Sequence, residues 1–109
     1  MLELWQTEWC PASRRVRQRL TELGIDYLVR QVPVEKDERE ALIRVTGTDV
    51  IPALVLEDGD VLVGEAAILG RLDGVGREPA GAEAHRQKAE KARRRYLEEE
   101  CECLQPATR

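Results

Sequence analysis

Phenylalanine is missing from this 109-residue chain, and methionine and histidine occur once each. The core must therefore come from Leu, Val, Ile and Ala, with Trp5, Trp9, Tyr27 and Tyr96 as the only aromatics. A single histidine, His85, makes a histidine-built metal centre improbable. No apolar run approaches the roughly 20 residues that cross a bilayer, so no membrane role is expected. The N-terminus lacks a basic stretch leading into a long apolar one, so no secretory signal is visible and a cytoplasmic location is expected. Positive charge is not in excess either. The net charge of −4 argues against nucleic acid as a partner. Cysteine is scarce and odd in number, at three, which argues against a structural disulfide framework.

What is present suffices for one compact domain. Leu2 to Gln6 reads as a short strand and Pro11 to Leu23 as a helix, with Val16, Leu20 and Leu23 on one face and Gly24 closing it. Asp26 to Val34 alternates like a second strand. A second helix is expected from about Glu35 to Val45, turning Ala41, Leu42 and Val45 inward. Ile51 to Leu56 reads as a third strand. Asp58-Gly59 is a strong hairpin signal, and Val61-Leu62-Val63 pairs back. Gly64 to Leu72 reads as a third helix, through Ala67, Ile68 and Leu72. The order β-α-β-α-β-β-α implies a mixed sheet, parallel where a helix crosses over and antiparallel at the hairpin.

The domain is expected over 1–73. Gly, Pro and charge mark 74–82 as a linker. The segment 83–109 reads as a helical extension with a thin apolar stripe, rich in Ala, Glu, Lys and Arg. Docking of this helix on the domain, pairing with a second copy and a partly free extension are all open.

The chemistry concentrates in Trp9-Cys10-Pro11-Ala12-Ser13. The strand delivers Cys10 to the start of a helix, and Pro11 suits the first helical position because its missing N–H would be unbonded there. Unpaired amides and the positive end of the helix dipole favour a thiolate at such a cap. The bland alternative is a small buried hydrophobe. Arg14, Arg15, Arg17 and Arg19 crowd the same helix. They form either a solvated face or a basic rim that stabilises the thiolate and draws in an anionic thiol.

These motifs together resemble glutaredoxins and the N-terminal domain of glutathione transferases. Cys10-Pro11-Ala12-Ser13 resembles the Cys-Pro-x-Cys/Ser motif. Thr46-Gly47 with Val50-Ile51-Pro52 resembles the segment whose cis-proline faces the active cysteine. Asp58-Gly59 through Val63-Gly64-Glu65-Ala66-Ala67-Ile68 resembles the closing hairpin and last helix. The resemblance covers roughly Met1 to Asp73. It implies an α/β, thioredoxin-like fold of glutaredoxin type: a mixed four-stranded sheet with helices on both faces, here with an extra C-terminal helix. It implies a nucleophilic Cys10, a cis Pro52, and an Ile51 main chain that pairs with an extended thiol peptide. The helix start at Glu65-Ala66 would receive the substrate's carboxylate.

Several positions depart from the pattern. Ser13 replaces a second cysteine, so chemistry must run through one thiol and a mixed disulfide, with Ser13 free to donate a hydrogen bond to the sulfur. Thr7 stands where glutaredoxins carry a lysine. Ala66 and Ala67 stand where they carry acids, and Ala66 also replaces the serine of transferases. Glu65 is then the remaining candidate for an amine contact.

Cys101-Glu102-Cys103 offers two more thiols, either inert or able to resolve a Cys10 mixed disulfide. Nearby glutamates should raise their pKa values above that of Cys10. Three cysteines fall short of the usual four cluster ligands, so no metal is expected.

The expected function is a single-cysteine thiol–disulfide oxidoreductase with no permanently bound cofactor. Glutathione or another low-molecular-weight thiol would be the co-substrate and a small thiol or protein disulfide the partner, with a homodimer through the C-terminal helix as a further candidate. The alternatives are a thiol- or peptide-binding module without turnover and, more remotely, an iron–sulfur carrier.

Overall fold

A computed structural model describes residues 1–74 and 79–96. The chain divides into two compact units, Met1–Pro79 and Ala80–Arg109. The first contains β1 (Leu2–Gln6), α1 (Pro11–Glu22), β2 (Tyr27–Gln31), α2 (Glu40–Thr46), β3 (Ala53–Val55), β4 (Val61–Val63) and α3 (Glu65–Asp73). The second contains α4 (Ala82–Tyr96).

The sheet has the order β2-β1-β3-β4. β1 and β2 run parallel, as a crossover through α1 requires. β1 pairs antiparallel with β3, and β3 with β4. The β3–β4 turn closes where expected: the Leu56 N–H donates to the Asp60 carbonyl at 2.8 Å and the Gly59 N–H to Leu56 at 3.0 Å.

Strand alternation sends successive side chains to opposite faces and builds two cores. On one face Leu4 and Leu54 meet Val16 and Leu20 of α1 and Ile68 and Leu72 of α3. On the other, Ala53 and Val32 meet Leu42 of α2, with Trp5 and Ile51 against them. Each fully buried leucine contributes about 1.5–3 kcal/mol over its exposed state. Helices therefore cover both faces of a mixed four-stranded α/β sheet.

α1 ends in a left-handed turn. Gly24 has φ +69°, its N–H donates to Thr21 at 3.0 Å, and the Ile25 N–H reaches back to Leu20 at 3.0 Å. Both last-turn carbonyls thus find donors.

Some boundaries differ from the sequence reading. β2 spans five residues rather than nine; Val32, just past its end, still donates its N–H to the Gln6 carbonyl at 3.0 Å and packs in the α2 core. The second helix opens as a 3₁₀ turn at Lys36–Glu38 and becomes α-helical only at Glu40. Of its three expected inward residues only Leu42 is buried, and Ala41 and Val45 face solvent. Over its seven residues, about two turns, α2 buries one side chain. Ala67 is likewise exposed, with Ile68 and Leu72 carrying the inner face of α3.

Candidate functional site

The registers bring four chain segments to one end of the sheet. Trp5 near the end of β1 lies beside Ala53 at the start of β3, and Ala53 lies beside Val63 at the end of β4. The loop from Thr7 to Cys10 and the start of α1, the Ile51-Pro52 segment and the start of α3 therefore share that end. This is where open α/β sheets place ligands.

Cys10 is the N-cap of α1, with extended backbone at φ −73° and ψ 121°, and Pro11 is the first helical residue. The Cys10 carbonyl already accepts the helix's first hydrogen bond, from the Arg14 N–H at 3.0 Å. The thiol itself is partly exposed. Partial burial pushes it up. Opposing this, the Ser13 hydroxyl, the backbone N–H groups of Ser13 and Ala12, and the positive charge of Arg15 all favour the thiolate. The balance lies below the ordinary thiol value. The Ser13 hydroxyl, the cap amides and one cation thus outweigh desolvation, without a histidine.

Ser13 is fully buried. Its Oγ accepts the Thr7 N–H at 3.5 Å, which leaves the hydroxyl proton free to serve the sulfur. The loop that holds Thr7 is itself braced. Gln6 is buried and donates to Glu8 at 2.9 Å and to Gln31 at 3.1 Å. Arg17 donates to the Gln6 side chain and to the Thr7 and Glu8 carbonyls. The Gln31 and Gln6 amides hold the Glu8 carboxyl below its usual range.

The Ile51–Pro52 peptide bond is cis and Pro52 is buried. The Pro52 carbonyl accepts the Gly64 N–H at 2.8 Å, which ties the proline to the entry of α3. Gly64 has φ +89° and ψ 154°, a region open essentially to glycine alone. Glu65 begins α3, and its carboxylate is gripped by Arg15 from α1 at 2.6 Å (Nε) and 2.7 Å (Nη2). That contact holds Glu65 below the usual carboxylate range.

The remaining expected site residues fall as follows. Pro11 is exposed at the mouth of α1, and Ala66 is exposed in the first turn of α3. Ile51 is half-buried against the Val32–Leu42–Ala53 core. Cys101 and Cys103 lie outside the described residues. The arginine-rich helix is not one uniform rim. Arg15 serves Glu65, Arg17 the Thr7 loop, and Arg19 pairs with Glu22 at 3.1 Å and Asp73 at 3.0 Å.

One contributor escapes the sequence reading. Arg39, 5% exposed, donates to three backbone carbonyls: Pro33 at 2.8 Å, Asp49 at 2.9 Å and Val34 at 3.0 Å. It pins the loop after β2 to the loop that enters Ile51-Pro52. No periodicity reports an arginine that bonds only main chain, although its place just before a helix was the available signal. Trp9, immediately before Cys10 in the chain, is 62% exposed. Among the described residues no group of three or more metal-binding side chains converges. No described helix is long and apolar enough to cross a membrane.

The family model for the glutathione S-transferase N-terminal domain matches residues 9–74. The chain belongs to this family. Solved structures agree with the assignment. A glutathione S-transferase from Rhodospirillum rubrum shares 30% identity over 86% of this chain and 47% of its own, with TM-score 0.60. A glutathione transferase family member from Pseudomonas fluorescens, with bound glutathione, shares 27% over 84% of this chain and 48% of its own, at TM-score 0.64. A glutathione transferase homolog from Sulfitobacter, also with bound glutathione, has the same fold at 23% identity and TM-score 0.61, covering 86% of this chain and 49% of its own. The chain thus spans about half the length of these structures. No curated protein matches it. The transferase-type domain carries Cys10-Pro11 at its first helix cap and a cis proline before β3, as the resemblance implies.

Proposed function

We propose that this glutathione transferase-type domain performs glutathione-linked thiol–disulfide exchange through Cys10. The observation that carries the reading is the thiol's seat at the α1 cap, where the Ser13 hydroxyl and two main-chain amides favour its anion. The presence of glutathione in the Pseudomonas and Sulfitobacter structures supports the choice of thiol.

In the first step the Cys10 thiolate attacks a sulfur of a glutathione mixed disulfide. A Cys10–glutathione disulfide forms, the other sulfur leaves as a thiolate and takes a proton from water. A second glutathione thiolate then attacks the glutathione sulfur, releases oxidised glutathione and restores Cys10. Net, the mixed disulfide and one glutathione thiol become a free substrate thiol and oxidised glutathione, one disulfide being exchanged for another. Ser13 stabilises Cys10 as nucleophile and again as leaving group. The Ile51 main chain pairs with the bound thiol's backbone beside Pro52, and the N–H groups at Glu65-Ala66 take its carboxylate. With a protein disulfide, Cys10 forms a mixed disulfide with the protein, and Cys101 or Cys103 attacks the Cys10 sulfur, releases the protein thiol and leaves a disulfide to Cys10 that two glutathione thiols reduce, becoming oxidised glutathione. The site of action is the cytoplasm, and the C-terminal helix pairs two copies.

The test is turnover of a glutathionylated peptide by wild type, Cys10→Ser and Cys101→Ser/Cys103→Ser proteins. Loss of all exchange in Cys10→Ser with retained glutathione binding supports the reading. Residual exchange in that variant overturns it. A wild type that binds glutathione but never turns over makes the domain a binding module instead.

A further inference from the structure

Ile51 is bracketed along the chain by main-chain groups that are held in place. Before it, the peptide between Asp49 and Val50 is fixed at both polar groups. Its carbonyl accepts from Arg39 Nη1 at 2.9 Å, and its N–H donates to the Thr48 hydroxyl at 3.3 Å. After it, the Pro52 carbonyl accepts the Gly64 N–H at 2.8 Å. None of these bonds uses the Ile51 N–H or carbonyl.

Arg39 ties this bracket to the rest of the domain. Its own main chain is fixed at the junction of two helical segments. Its N–H closes the 3₁₀ turn onto the Lys36 carbonyl at 3.3 Å, and its carbonyl accepts the Ile43 N–H at 3.0 Å to open α2. From that junction the buried side chain holds Pro33 through Nε and Val34 through Nη2, while Nη1 holds Asp49. A rigid planar fork can grip two loops at once in this way, whereas an ammonium concentrates its donors at one point. Thr46 secures the other strut. Its hydroxyl lies 2.9 Å from the Leu42 carbonyl and accepts the Thr48 N–H at 3.2 Å, which ties Thr48 to α2. None of these bonds reaches the α1 cap.

We propose that Arg39, with Thr48, is a positioning residue for ligand binding: the two hold the Asp49–Val50 peptide so that the Ile51 main chain is already set when an extended thiol compound arrives. This rests on reading the Ile51 edge beside Pro52 as the one that pairs with a glutathione-type thiol. A preset edge removes an ordering cost from association, so the bracket acts on affinity. The charge state of the Cys10 sulfur is left alone.

The test is calorimetric titration of the full chain with S-methylglutathione, which has no thiol to exchange. Beside it runs an ultraviolet thiolate titration with Cys10→Ser subtracted. Arg39→Met is expected to raise the Kd about tenfold, the effect of roughly one lost hydrogen bond to the guest, with the Cys10 midpoint unmoved. Arg39→Lys keeps the charge without the fork and is expected to bind nearly as weakly. Thr48→Val strips the Val50 N–H of its acceptor while leaving Arg39 in place. It is expected to raise the Kd about threefold, and it carries the test should Arg39→Met fail to fold. Amide exchange at Val50 and Ile51 is expected to quicken in each variant, with β1 unchanged. Wild-type affinity in folded Arg39→Met or in Thr48→Val overturns the inference. Wild-type affinity in Arg39→Lys does so too, by making charge rather than geometry the cause, as does a Cys10 midpoint that shifts along with the Kd. Those results leave the Ile51 edge as the binding edge. A wild type with no affinity for S-methylglutathione overturns that underlying reading, and the inference with it.

Discussion

Ser13 and Arg39 show how much of this site is made by groups that never touch a substrate. Ser13→Ala removes a donor from the sulfur and leaves the Thr7 N–H without its partner. Cys10 alkylation by iodoacetamide at pH 7 is then expected to slow about three- to tenfold, the effect of a midpoint raised by up to about one unit. An unchanged rate would remove Ser13 from the site. The thiol also links reactivity to stability. Its folded-state pKa lies below the ordinary 9.0. The thiolate therefore stabilises the fold above that value, and the gain is lost as pH falls through the folded midpoint. Urea titrations are expected to show wild type gaining on Cys10→Ser as pH rises toward 9.0. Arg39→Ala strips donors from three carbonyls and is expected to cost about 2–3 kcal/mol in the same measurement.

The elements explain why those side chains meet. α1 is positioned by Val16 and Leu20 under the sheet, and α3 by Ile68 and Leu72 in the same core. Leu20→Ala is expected to destabilise the domain by about 2–5 kcal/mol, the range for leucine truncated in a close-packed core. The entry to α3 is a sharper point. Gly64 joins β4 to α3 and donates to Pro52, and nothing lies within 4 Å of where a Cβ would stand. Gly64→Ala therefore meets backbone strain rather than a clash, with an expected loss of about 1–3 kcal/mol. Because Glu65 follows directly, exchange activity should fall further than the stability loss alone predicts. Measuring both on one preparation checks this.

Across the full architecture, alternation and turn chemistry were the legible part. Leu2–Gln6 and Val61–Val63 match their expected spans, and Asp58-Gly59 turns as its residues require. Cys10 at the cap and the cis Pro52 follow from Pro11 and from a motif order that resembles a known family. Long-range polar pairing was not legible. Nothing local announces that Arg15 finds Glu65 fifty positions away, or that Arg39 serves main chain on two loops. The same limit explains Ala41, Val45 and Ala67, whose helical spacing fits an inner face that the short helices do not present.

The central claim is that Cys10 is the sulfur that bonds a glutathione-type thiol. Its most direct test is incubation of the reduced, full-length protein with oxidised glutathione at neutral pH, then peptide mass mapping. The account predicts one glutathione adduct, on the peptide that contains Cys10, formed ahead of any at Cys101 or Cys103 and absent from Cys10→Ser. An unmodified Cys10 beside glutathionylated Cys101 and Cys103 would contradict it.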